Sequence, residues 1–315
     1  MIATTLDLLG VGFVQSALLA AALLGVVSGV VAPLVVLRRM SFTVHGTSEL
    51  ALMGASAALL FGFHVGAGAV AGSVLAAVAL ALLGGRGRDD AVVGVVLGFG
   101  LGLAVLFIHL YPGRASTAFA LLTGQIVGLT SASVRLLALV TVAVVATVAL
   151  LRRPLLFASA DPAMAAACGV PVRSLAVVFA VLVGLTAAQG VQIVGALLIT
   201  SLLITPGAAA VRVTSSPTRA LVLSVVFAEL AAVGGVLLSL APGVPVSVFV
   251  TAISFAIYLV CRAVAAVRDR RLEAAPAAGR RPSGPGIGCG RGRIRVAGRI
   301  RPRPWRPARG RPHDR

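Results

Sequence analysis

The chain is built of long apolar runs separated by short polar breaks. Nine runs can be bounded, at roughly 10–37, 45–63, 66–84, 91–110, 133–151, 174–191, 193–211, 220–240 and 246–266. Each comes near the roughly 20 residues that a helix needs to cross about 30 Å of hydrocarbon. The pattern predicts an all-α fold, a polytopic transmembrane helical bundle of about 8–9 spans. The second and third runs are short and meet at FGFHVGAG, a turn that could sit at membrane depth. The sixth and seventh share an uncharged stretch from Ser174 to Val211. They are expected to be two helices broken near Gln189, Gly190 and Gln192, and one of them could be partial and re-entrant.

The polar breaks carry an orientation. Arg38 and Arg39, Arg86 and Arg88, Arg152 and Arg153, Arg173, Arg212 and Arg219, and the cluster from Arg268 onward all fall on one side of this span count. Arg114 falls opposite, and Arg135 lies near the start of a span. Arginine concentrates in cytoplasmic loops, so the N-terminus is expected outside and the C-terminus in the cytoplasm of a multi-pass plasma-membrane protein. Glycines recur at four-residue spacing at Gly25/Gly29, at Gly94/Gly98/Gly102 and at Gly124/Gly128. Such seams let helices pack backbone to backbone in lipid and identify no activity.

Composition sharpens the class. The 315 residues are 59% hydrophobic and 11% charged, with a mean hydropathy of +1.05; soluble domains are nearer a quarter charged. The net charge of +18 is uneven, since 15 of the arginines lie from Arg268 to the C-terminus. That segment is rich in Pro, Gly and Arg and has no period that could bury a core. Two domains are therefore expected: residues 1–267 as the membrane body and 268–315 as a disordered basic cytoplasmic tail. The tail could be a dispensable extension, or could touch anionic lipid or nucleic acid. Cys168, Cys261 and Cys289 have no metal or disulfide spacing. The N-terminus lacks a basic leader region, and its apolar run from Leu8 to Leu37 is too long for a cleaved one.

Chemistry has few places to sit. An acid within an apolar span costs at least about 2.5–3.5 kcal/mol on insertion scales, and two of the body's acids, Glu49 and Glu229, lie in spans. His45 stands one helical turn before Glu49, so both side chains share a face. The pair suits a first-row divalent cation, and equally a proton relay or a plain hydrogen bond. Glu229 is a candidate path or supporting residue. In ASADPAMAAACGVPVRS, Asp161 can cap a helix, Pro162 fits its first position, and Gly169 with Pro171 can end it. A capped two-turn helix in a cytoplasmic loop could dock a soluble partner or merely connect two spans. Lysine is absent, so no GxxxxGK[ST] phosphate loop exists, and neither GxSxG nor HExxH occurs. The chain is not expected to be an enzyme. Any ATP hydrolysis must come from another chain.

Four stretches in order, RRMSFTVHGTSELALMGASAALLFG, FASADPAMAAACGVPVRS, VQIVGALLITSLLITPGAAAVRV and GGVLLSLAPGVPVSVFVTAISFAIYLV, resemble the membrane permease of zinc/manganese-type ATP-binding cassette importers. The resemblance spans roughly residues 10–266, with VGALLITSLLITPGAAA its most specific part. It implies a homodimeric permease paired with cytoplasmic ATP-binding subunits and an extracytoplasmic metal-binding protein. It also implies a transported divalent metal (zinc, manganese or iron) and no permanently bound cofactor. The family carries Asp and His four apart, ahead of a Gly five residues on. Aligned on Gly54, the Asp falls on His45 and the His on Glu49, so the two ligand types are exchanged and the shared face is kept. Two other readings stand beside this one. One is a permease for metal chelates of siderophore or cobalamin type, which the 5% aromatic content weighs against. The other is an intramembrane enzyme or assembly factor using His45 and Glu49 as an acid–base pair.

Overall fold

The computed structural model describes residues 12–83, 90–113, 131–193, 195–239 and 246–274. Among these residues all regular structure is helical. In chain order the helices are α1 (Gly12–Leu37), α2 (Ser41–Leu60), α3 (Val65–Leu83), α4 (Asp90–Leu110) and α5 (Ser131–Ala160). They continue as α6 (Pro162–Ala167), α7 (Val172–Ile193), α8 (Ala196–Val213), α9 (Pro217–Ser239) and α10 (Val246–Ala274). Six of them, α1, α4, α5, α7, α9 and α10, are long and apolar enough to cross a membrane. The apolar stretches of α3 and α8 are shorter, Val65–Leu80 and Ile199–Val213.

Helix α1 is apolar all round because it is enclosed, as such a helix must be. Val14, Leu24, Val27, Val31 and Leu34 are at most 1% exposed, and α5, α7, α8 and α9 pack about it. The packing runs through glycine. A Cβ at Gly29 would lie 2.5 Å from the Val225 Cα of α9, and one at Gly25 would lie 2.8 Å from Glu229 Oε1. On α2 and α3, Gly54, Gly68 and Gly72 bring the two backbones together so closely that a Cβ at any of them would strike a main-chain carbonyl oxygen of the facing helix. Close backbone approach of this kind increases dispersion contact between helices where lipid offers no hydrophobic drive. The Gly94, Gly98 and Gly102 stripe differs: a Cβ there meets nothing within 4 Å among the described residues. Gly124 and Gly128 lie outside them. Outward faces are apolar too, with Phe99, Leu139, Leu150 and Phe255 all exposed, as a hydrocarbon solvent requires.

Several boundaries depart from the sequence pattern. Helix α7 runs unbroken through Gln189, Gly190 and Gln192. Gly190 is a packing notch filled by the Ile199 side chain of α8, and the turn comes at Gly195, whose φ of 95° suits glycine alone. Helix α5 continues nine residues past Leu151, through Arg152, Arg153 and Pro154. Helix α10 continues through Arg268 to Ala274, into the segment expected to lack structure. Its last turns, VRDRRLEA, are good helix formers, and Pro276 follows just beyond. The chain divides into two units after Arg270. Residues 275–315 lie outside the described residues, so the disorder expected of the tail lies outside them as well.

The glycine contacts predict opposite outcomes for one chemical change. Gly29→Ala puts a methyl against α9 and is expected to lower the thermal midpoint of the detergent-solubilised protein, by about 1–3 kcal/mol of overpacking. Gly98→Ala meets open space and is expected to leave the midpoint unchanged or raise it, since alanine favours helix by up to about 1 kcal/mol. Thermal unfolding of the two variants beside the parent checks both.

Candidate functional site

Helix α2 starts abruptly. Helix α1 ends with Arg39 N–H donating to Val36 O (3.1 Å) and Met40 N–H to Val35 O (3.0 Å). This is the paired closure of a helix C-terminus that places one residue in the left-handed region. That residue is Arg39, at φ 54°, where a side chain costs roughly 1–2 kcal/mol. The turn takes three residues, and α2 begins at Ser41. His45 and Glu49 therefore lie inside a formed helix, one turn apart, rather than at its mouth.

Glu49 is 2% exposed, and His45 is half-buried. Glu49 Oε2 is buried without a hydrogen-bond partner among the described residues. The hydroxyls nearby in sequence do not supply one. Thr47 Oγ1 donates to Val44 O and Ser48 Oγ donates to His45 O, both at 2.8 Å, and Ser56 Oγ donates to Met53 O at 2.9 Å. Each hydroxyl directs its only proton to its own helix. Helices α3, α4, α7 and α8 pack about α2, so the carboxylate is enclosed by the bundle with one oxygen, Oε2, unpartnered among the described residues. Among the described residues no group of three or more His, Cys, Asp or Glu converges. The candidate ligands here are therefore two side chains, the His45 imidazole and the Glu49 carboxylate.

Glu229 sits elsewhere. It lies on α9 at the α1 seam, where Gly25 leaves room for its carboxylate, and its Oε1 is buried without a hydrogen-bond partner. The structure does not bring it into a ligand cluster with His45 and Glu49. Gln189 Nε2 on α7 is likewise buried and unpartnered. The sequence reading used Gln189 only as a break signal, and nothing in residue type alone separates a buried amide from a helix end.

The short helix α6 carries the caps its sequence promised. Asp161 Oδ1 accepts from the N–H groups of Ala163 (3.0 Å) and Met164 (2.9 Å), and Pro162 opens the helix. Gly169, at φ 81°, closes it. Gly169 N–H donates to Ala166 O, and Val170 N–H to Ala165 O, both at 3.0 Å. Both ends are thus saturated within 10 residues. Only Ala165 is buried, with Met164 57% exposed, so the helix stands out as a rigid apolar knob between α5 and α7.

Comparison with known proteins follows the same outline. The manganese transport system membrane protein MntC of Listeria innocua is 28% identical over 254 residues, covering 79% of this chain and 90% of that protein. The manganese import system permease protein ScaB of Streptococcus parasanguinis is 29% identical over 251 residues, covering 79% and 89%. The solved structure of PsaBC from Streptococcus pneumoniae in complex with Fab superposes with a TM-score of 0.75 at 26% identity, covering 83% of this chain and 95% of that one. Residues 11–265 match the model of the ABC 3 transport family across its helices, and the chain belongs to that family.

Proposed function

We propose that this chain is the plasma-membrane permease subunit of an ATP-binding cassette importer, and that its cargo is a divalent metal ion, with manganese ahead of zinc and iron. The observation that carries this reading is the buried Glu49 carboxylate, one turn from His45, with its Oε2 lacking a hydrogen-bond partner among the described residues. An isolated carboxylate in apolar surroundings is costly, and a dication held jointly with a neutral imidazole relieves that cost. Two protein ligands are few. Manganese accepts oxygen and nitrogen donors and can keep water in the rest of its shell. A site of this kind binds well enough to draw the ion from water and loosely enough to release it, as permeation requires. The likeness to permeases named for manganese supports the choice of cargo.

The remaining parts follow from placement. All nine of the described helices other than α6 cross the membrane in this reading, with the N-terminus outside. The Arg38 contact with Ser159 joins the end of α1 to the end of α5, and the Arg268 Nη1 bond to Val213 O (2.9 Å) joins α10 to the end of α8. These arginine-bearing ends form the cytoplasmic side. There α6 docks the cytoplasmic ATP-binding subunit, which alone hydrolyses ATP. On the outer side an extracytoplasmic metal-binding protein delivers the ion, and two copies of the permease form the transporter. Residues 1–267 carry out transport, and the basic segment 268–315 lies on the cytoplasmic side, where anionic lipid is available to it.

Two measurements check this assignment. Uptake of radiolabelled manganese is expected to vanish in Glu49→Ala, to persist in part in Glu49→Asp, and to fall less far in His45→Ala, with expression matched by blot. If both alanine variants transport like the parent, the pair is only a helix-face contact. For docking, Gly169→Pro forbids the φ of 81°, and Asp161→Ala removes both capping bonds at a cost of about 1 kcal/mol. Either is expected to reduce ATPase co-purification while the permease stays in the membrane; unchanged recovery of the partner would reject α6 as the docking element.

A further inference from the structure

Arg38 is half-buried at the junction of α1 and α2, and it reaches both flanks of the docking helix. Its Nε donates to Ser159 Oγ at 2.7 Å, in the last turn of α5, two residues ahead of the Asp161 cap. Its guanidinium carbon stands 4.5 Å from the ring centroid of Phe179 on α7, and that ring is fully buried. Ser159 lies just before α6 and Phe179 ten residues after Gly169, so one side chain holds the chain on either side of the knob. Ser159 is oriented in turn, since its hydroxyl donates to Leu155 O and accepts from Arg38.

The other end of this contact leads to the cation site. Arg38 is followed by the left-handed Arg39 and by Met40, which packs against the core. The backbone bonds that close α1 fix this turn, and α2 starts three residues after Arg38. A displacement of the α5–α6 corner therefore meets little slack before it reaches the start of α2, one turn ahead of His45. An apolar residue could fill the space beside Phe179 but could not hold Ser159 in one direction. Arginine can do both, because its planar head stacks on the ring while its edge donates.

We propose that Arg38 is a positioning residue that couples the docking helix to the cation-bearing helix, so that movement of the ATP-binding partner at α6 is delivered to His45 and Glu49 on α2. This rests on the reading of α6 as the docking element and of α2 as the path. Arg38 touches no cargo and no ATP.

The test uses the complete complex of permease and ATP-binding subunit in sealed proteoliposomes, with manganese supplied, and reads manganese moved and ATP hydrolysed in the same vesicles. In Arg38→Gln the manganese moved per ATP is expected to fall about tenfold, within the usual range of coupling between sites, while the ATPase still co-purifies. Arg38→Lys keeps the charge without the planar fork and is expected to fall as well, and Ser159→Ala is expected to fall in the same direction. A ratio within about twofold of the parent in an assembled complex, a difference too small for such coupling, overturns the proposal. If the Arg38 variants fail to accumulate or lose their partner, Ser159→Ala decides by the same criterion. Asp161→Ala and Glu49→Ala run alongside. If the first keeps the ATPase or the second keeps uptake, the underlying reading is at fault. If both lose function while the Arg38 and Ser159 ratios hold, only the coupling role fails.

Discussion

The close approach of the α2 and α3 backbones at Gly54, Gly68 and Gly72 is the contact on which the rest of the molecule depends. Lipid tails are as apolar as leucine, so nothing drives these helices together except contact itself. Side chains at the three positions would hold the backbones apart, and α2 would lose the wall that closes over it. With the wall in place, α2 can carry a carboxylate at 2% exposure. Glycine at the α1–α9 seam serves the same end on the other side of the bundle, and leaves room there for Glu229.

A buried acid with an oxygen left unpartnered is costly, which makes Glu49 informative. Structural acids inside helical bundles are met by hydroxyls, amides or backbone N–H groups. Here Thr47, Ser48 and Ser56 all turn back on their own helix, and Glu49 Oε2 has no hydrogen-bond partner among the described residues. The exchange of ligand types relative to the usual Asp-then-His order keeps one nitrogen and one carboxylate on the same face. In the proposed function this pair can still serve a metal, which reads donor atoms and their spacing more than their order along the helix.

The membrane class, the helical runs and the caps of α6 were legible in the sequence because each has a local cause. Asp161, Pro162 and Gly169 act within a few residues of themselves, and span length follows from bilayer thickness. Boundaries inside apolar stretches were not legible. Where every face is apolar, the 3.6-residue period that marks a helix disappears, so Gly190 read as a break although it is the notch for Ile199. Arg152 and Arg153 read as a loop because charge normally marks one, yet arginine is a good helix former and α5 runs on through them. At the candidate site, spacing gave the shared face of His45 and Glu49, but not the unpartnered Oε2, which depends on rotamers and on the four helices packed about α2. Arg38 was counted only as loop charge. Its contacts with Ser159 and Phe179 join positions 121 and 141 residues away, beyond the reach of any local pattern.

The central claim is that His45 and Glu49 hold the transported ion together inside the bundle. Pulsed electron paramagnetic resonance of the purified complex loaded with manganese tests it directly, because bound imidazole nitrogen modulates the echo of the metal spin. Nitrogen modulation of the imidazole type that disappears in His45→Ala, together with manganese retention that drops in Glu49→Gln, is the predicted result. Manganese retained at the parent level with no imidazole modulation, or with modulation indifferent to His45, would contradict the account.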